Sequence, residues 1–157
     1  MAKALEEGDP IPDIELTTPS GGRVPLRSYA GRPLVLYFYP KDDTSGCTRE
    51  AQDFSRLYSE FRDAGAEVLG VSKDPPQKHL KFIDKYDLSV PLASDTEDRA
   101  TGAFGTWVEK QLYGKKYMGI DRSTFLFDAD GRLARSWRKV RVPGHAIEVL
   151  EAVKALP

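Results

Sequence analysis

The chain has 157 residues, 40 % hydrophobic and 30 % charged, a length that suits one domain, 1–157, with a core large enough to need no disulfide staples. With 23 Lys+Arg against 24 Asp+Glu the formal net charge is -1, which removes the field that a general nucleic-acid or anionic-membrane binder would use. One cysteine, Cys47, and two histidines, His79 and His145, exclude an internal disulfide framework and cannot assemble a zinc cage, so neither a metal nor a cofactor is expected.

The chain opens Met-Ala-Lys-Ala-Leu-Glu-Glu-Gly-Asp-Pro, acidic and broken by Gly8 and Pro10, without the apolar run of a secretory signal; a cytoplasmic protein is expected. No apolar stretch approaches the roughly 20 residues that span a bilayer. Ile14-Glu-Leu16 and Arg23-Val-Pro25, separated by Gly21-Gly22, predict a small leading hairpin. Pro33 to Tyr39 is a continuous aromatic and branched run between Gly31 and Pro40, which predicts a strand buried on both faces. After the polar loop Lys41 to Gly46, the positions Ala51, Phe54, Leu57, Tyr58, Phe61 and Ala64 predict an amphipathic helix closed by Gly65. Glu67 to Ser72 predicts a second strand, and Gln77 to Tyr86 a second helix turning Leu80 and Ile83 inward. Pro91 to Ala93 predicts a short strand and Asp98 to Phe104 a short helix. Ser123 to Phe127 and Leu133 to Trp137 flank the turn Asp128-Ala-Asp-Gly131 and predict an antiparallel hairpin. Ile147, Val149, Leu150, Val153 and Leu156 recur at helical spacing after His145. Helices between strands, then a hairpin and a closing helix, predict an α/β thioredoxin-like fold: a mixed central sheet flanked by helices, with an N-terminal hairpin extension.

Cys47 lies outside every apolar stripe, just past a buried strand and in the first turn of the next helix, where free N–H groups and the helix dipole favour thiolate over thiol. A redox Cys-x-x-Cys is excluded, because Ser45, Gly46, Thr48 and Arg49 surround the only thiol. A Cys-x5-Arg phosphatase loop fails at Asp53, and Gly46 has no partner glycine or following lysine for a phosphate loop. A Cys/His hydrolase would need His79 or His145 brought to Cys47, which nothing in the spacing does.

Pro40-Lys-Asp-Asp-Thr44-Ser-Gly-Cys47, directly after an aromatic strand, resembles the Pro-x3-Thr-x2-Cys signature of peroxiredoxins. Trp107-Val-Glu-Lys, Tyr113 to Ile120, Arg122-Ser-Thr-Phe-Leu126, Asp130-Gly131 and Gly144-His145-Ala extend the resemblance to the bacterioferritin comigratory protein, or peroxiredoxin Q, branch. With Gly8 to Asp13 at the front, it covers nearly the whole chain. It implies a thiol-dependent peroxidase that reduces hydrogen peroxide and organic hydroperoxides through a sulfenic acid at Cys47. Thr44 would offer its hydroxyl to the substrate, Gly46 and Cys47 their N–H groups, Arg122 two donors of a planar fork, and Pro40 a shield from bulk water. Glu50 would orient an arginine or simply favour the first helical turn. Each residue has a plainer use as well: Thr44 as an N-cap, Arg122 as a surface charge. Tyr39 and Trp107 read as packing residues, and His145 as a helix opener without chemistry.

The chain departs from the family pattern twice. Gln52 stands where many members carry a resolving cysteine, and Gln77 to Tyr86 contains none either, so an external thiol (thioredoxin, glutaredoxin or glutathione) would have to reduce Cys47. Ser45 stands where proline is common. Partners are then a hydroperoxide and a thiol reductant, with no nucleic acid and no membrane, in a monomer or weak dimer. A peroxide sensor of the same fold is the alternative, and a redox-silent binding protein a third reading.

Overall fold

Residues 5–157 are described by the computed structural model; the first four residues of the opening stretch read above lie outside them. In chain order the elements are β1 Glu15–Thr17, β2 Arg23–Pro25, β3 Leu34–Phe38, α1 Ser45–Asp63, β4 Glu67–Ser72, α2 Pro76–Tyr86, β5 Leu92–Ser94, α3 Arg99–Phe104, β6 Trp107–Leu112, β7 Lys115–Ile120, β8 Ser123–Phe127, β9 Leu133–Trp137 and α4 His145–Lys154. Seven strands form one sheet in the order β2-β1-β5-β4-β3-β8-β9.

The aromatic run becomes β3, which lies parallel to β4 and antiparallel to β8 and is buried along its whole length. Successive side chains of a strand point to opposite faces. Val35 and Tyr37 accordingly enter a core with Phe54, Phe61, Val149 and Val153, while Leu34, Leu36 and Phe38 enter another with Phe104, Phe125 and Phe127. Tyr37 sits in register with Gly70 of β4. A Cβ at Gly70 would lie 2.5 Å from the Tyr37 ring and 2.6 Å from its hydroxyl, so the missing side chain is the space the phenol fills.

The leading hairpin forms as expected, but it is not a separate flap: β1 also bridges β5 at Thr17 and Ser94 and prolongs the main sheet. The β8–β9 hairpin forms as well. Asp128 Oδ1 accepts the N–H groups of Asp130 and Arg132 at 3.0 Å each and holds its turn.

Three expectations need correction. α2 buries His79 and Phe82, while Leu80 is 52 % exposed; the helix is phased by a histidine whose ring is hydrogen-bonded inside, and Leu80 lies one residue, about 100°, round from it. In α4, Ile147 is exposed and Leu156 lies beyond the helix end; Ala146, Val149, Leu150 and Val153 supply the inward face. Ala64 is the exposed C-cap of α1 rather than part of its inner stripe.

A hairpin that the periodicity did not predict, β6–β7, stands apart as a two-stranded sheet. Its turn residues Tyr113 and Gly114 both have positive φ (51° and 77°), the requirement of a tight two-residue turn. Among the described residues no helix is long and apolar enough to cross a membrane.

Candidate active site

The polypeptide leaves the central strand β3 through the loop Tyr39–Thr44 and enters α1 at Ser45, the first helical position, where proline would be preorganised and serine is not. Thr44 occupies the N-cap position, but its side chain makes no capping bond. Its Oγ1 donates instead to the Lys41 carbonyl at 2.9 Å, and the first helical bond is Thr48 N–H to Thr44 O at 2.8 Å. The exposed Thr44 hydroxyl thus keeps its lone pairs for an incoming O–H group. Pro40 is half-buried at the end of β3.

Cys47 is the free thiol of the first turn of α1 and is 2 % exposed. Arg122, immediately before β8, reaches across from the neighbouring strand. Its Nη2 donates to Cys47 Sγ at 3.2 Å and its Nη1 to Glu50 Oε1 at 2.6 Å. The residue is pinned through its own backbone, since Val140 N–H donates to the Arg122 carbonyl at 2.9 Å. Gly46 makes room for the guanidinium, because a Cβ there would lie 3.3 Å from Nη2.

The electrostatics follow from burial. Glu50 is 1 % exposed, and desolvation pushes its carboxyl up to about 7 against the opposing pull of Arg122. Its Oε2 has no hydrogen-bond partner among the described residues. Burial alone would pull the Arg122 guanidinium down, but Glu50 and Cys47 outweigh it and the net direction is up. Burial, with Glu50 next, raises the Tyr37 phenol well above its ordinary value, and its hydroxyl is likewise unpartnered. One guanidinium faces two acids, so it cannot fully neutralise both.

Of the residues singled out in the sequence, Cys47, Gly46, Glu50 and Arg122 come together, with Thr44 and Pro40 on the loop that leads to them. Gln52 is exposed on α1, whereas Cys47 is buried. Tyr39 is a packing residue as expected, but Trp107 is 41 % exposed and instead lies under the Lys73 ammonium, 3.4 Å from the ring centroid. His145 opens α4 and does no visible chemistry: its Nε2 pairs with Thr124 Oγ1 at 2.8 Å, and burial lowers it to about 4.

Sequence reasoning missed a second polar cluster beside the same loop. His79 is 0 % exposed, with Nδ1 2.7 Å from Asp42 Oδ2 and Nε2 3.0 Å from the Ala93 carbonyl. Tyr39 Oη donates to Asp42 Oδ1 at 2.5 Å, and Asp42 N–H donates to Asp74 Oδ2 at 2.8 Å. The adjacent Asp43 takes Lys85 and Tyr86 at 2.8 and 2.6 Å. A histidine interrupting an aliphatic stripe in α2 was the available signal.

Fold and cysteine together define a class, the thioredoxin-like thiol oxidoreductases. The sequence profile of the AhpC/TSA family matches residues 7–136. Over 150 residues the chain is 47 % identical to Peroxiredoxin Bcp of Bacillus subtilis (strain 168), covering 96 % of each. It superimposes on Xanthomonas campestris Peroxiredoxin Q with a TM-score of 0.86 at 48 % identity, covering 91 % of this chain and 90 % of that one. On the PrxQ of Xylella fastidiosa the TM-score is 0.92 at 38 % identity, with 98 % of both chains covered. The chain belongs to the AhpC/TSA family, in its peroxiredoxin Q, or bacterioferritin comigratory protein, branch, and is a thiol-dependent peroxidase with a single cysteine.

Proposed function

We propose that Cys47 is the peroxidatic nucleophile for hydrogen peroxide and organic hydroperoxides, and that an external thiol closes the cycle. The observation that carries the reading is the Arg122 fork, one arm on the Cys47 sulfur and the other on Glu50. The Cys47 thiolate attacks the terminal oxygen of R–O–O–H. The S–O bond forms, the O–O bond breaks, and the departing RO⁻ takes a proton to become ROH, leaving Cys47–SOH. Arg122 stabilises the charge as it moves from sulfur to the leaving oxygen, while Thr44, with its own proton committed to Lys41, accepts the peroxide O–H. Gly46 and Cys47 add helix N-terminal N–H groups, and half-buried Pro40 limits water. Glu50 fixes the fork.

Reduction then follows two thiol steps: one R′SH displaces water to give Cys47–S–SR′, and a second releases R′SSR′ and restores the thiol. Gln52 offers no internal alternative. Thioredoxin, glutaredoxin and glutathione are the candidate reductants, and the cytoplasm, where these keep thiols reduced, is the compartment that fits. The reading takes residues 1–157 as one domain acting as a monomer or weak dimer, without metal or cofactor.

The test is peroxide consumption with excess dithiol. Sustained turnover that Cys47→Ser abolishes is the expected result; one equivalent consumed and then silence would make the protein a sensor instead. Peroxide in excess over reductant should add two oxygens to Cys47, seen by intact mass spectrometry.

A further inference from the structure

Two of the most deeply buried ionisable side chains in the molecule, His79 and Asp42, take no part in the chemistry above, yet they grip the loop that carries Thr44 and Pro40. Both nitrogens of the His79 ring face acceptors, the Ala93 carbonyl and the Asp42 carboxylate. A carbonyl can only accept, so Nε2 donates to Ala93, and Nδ1 is left facing the Asp42 carboxyl group. The second Asp42 oxygen takes the Tyr39 hydroxyl. Both are shielded from bulk water: His79 is 0 % and Asp42 5 % exposed.

Such a pair is a weak source of stability, because desolvation offsets the attraction, but breaking it is expensive. Its leverage is geometric. Asp42 lies two residues from both Pro40 and Thr44, with its side chain tied to α2 through His79 and its backbone N–H tied to Asp74 at the end of β4. Asp74 is itself fixed by Ser72 Oγ at 2.8 Å and faced by Lys78 at 3.6 Å.

We infer that His79 and Asp42 form a positioning pair for peroxide reduction: through the β3–α1 loop they set where Thr44 and Pro40 meet the substrate. The inference rests on the roles proposed above for that loop. A displaced loop would spoil in-line attack on a peroxide while leaving the thiolate itself as nucleophilic as before.

The experiment compares two reactions of the reduced full chain: its single-turnover reaction with hydrogen peroxide, and alkylation of Cys47 by iodoacetamide, which needs the thiolate but no peroxide clamp. Asp42→Ala and His79→Phe should lower the peroxide rate at least about tenfold and change alkylation less than about threefold. Asp42→Asn should stay well above Asp42→Ala, since its amide can donate to Nδ1 of a neutral ring, accept the Tyr39 hydroxyl and leave Nε2–H on Ala93. Should His79→Phe fail to fold, the two Asp42 variants decide. Rates that move together in every folded variant, or peroxide rates within about threefold of the parent for Asp42→Ala, would overturn the pair's role. A parent no faster toward peroxide than a free thiol would overturn the Cys47 reading instead.

Discussion

The two halves of α1 are built on opposite terms. From Ser45 to Glu50 the helix buries a thiol and a carboxyl with a partnerless oxygen, and the side-chain hydrogen bonds of both go to one arginine just ahead of β8. From Ala51 to Phe61 it buries hydrocarbon, with the Phe54 ring stacked on Tyr37 at 4.5 Å and tilted against Phe61 at 5.8 Å. Apolar burial is favourable whatever its orientation, whereas a buried polar group is tolerable only with matched partners. The second half can therefore anchor the first while the first stays chemically poised. Stability and activity should separate along this single helix.

The largest effect expected is at the anchor. Phe54→Ala should cost about 3–5 kcal/mol in denaturant unfolding, while Cys47→Ser should change stability by no more than about 1 kcal/mol. Equal losses would dissolve the distinction. Next comes the fork: Arg122→Ala should slow peroxide reduction at least tenfold, equivalent to about 1.4 kcal/mol of transition-state stabilisation. Arg122→Lys should recover only part, since an ammonium cannot bridge sulfur and Glu50 as the planar fork does. Stopped-flow kinetics of both variants decide this, and parental rates in both would make Arg122 structural.

A smaller signature lies in the pH dependence of stability. Burial holds the Glu50 carboxyl up at about 7 in the fold against an ordinary 4.5, so its stabilising contribution is complete below about 4.5 and is lost as pH rises through about 7. His145 runs the other way: held near 4 against an ordinary 6.5, it contributes fully above 6.5 and loses that contribution as pH falls through about 4. The two slopes oppose each other between about pH 4.5 and 6.5. Glu50→Gln removes only the first, so whatever constant offset it introduces, its stability relative to the parent should improve from pH 5 to pH 8. Denaturation at both values checks it, and a flat difference would mean the carboxyl is not desolvated.

Gly46→Ala should give the smallest change and one of opposite signs. A helical alanine favours the fold by about 0.5 kcal/mol, while the added Cβ, 3.3 Å from Arg122 Nη2, nudges the fork and slows peroxide reduction about threefold. Thermal unfolding and single-turnover kinetics together test the split.

The order β-α-β-α, the two hairpins and the closing helix were legible in the sequence because each rests on local pattern: the run Pro33–Tyr39, the stripe ending at Gly65, the Asp128–Gly131 turn. Cys47, Thr44 and Arg122 were legible through spacing and resemblance. What escaped was anything whose meaning depends on a distant partner. His79 read only as one of two histidines with no route to Cys47, because Asp42 and Ala93, its partners in the fold, lie far from it in the sequence. Leu80 looked inward for the same reason. The β6–β7 hairpin escaped because its turn begins with Tyr113, a bulky residue at positive φ, where Asn or Asp would have announced it.

The near-complete burial of a lone cysteine has a temporal consequence. Hydrogen peroxide is small enough to use whatever crevice leaves Cys47 2 % exposed, whereas a reducing thiol on another protein would need the first turn of α1 to open before it reached that sulfur. Oxidation would then be timed by collision and reduction by the protein's own motion. With abundant reductant the cycle should become independent of reductant concentration, its ceiling equal to the opening rate, and the sulfenic acid acts as a clock that runs at a speed written into the helix rather than into the surrounding thiol pool.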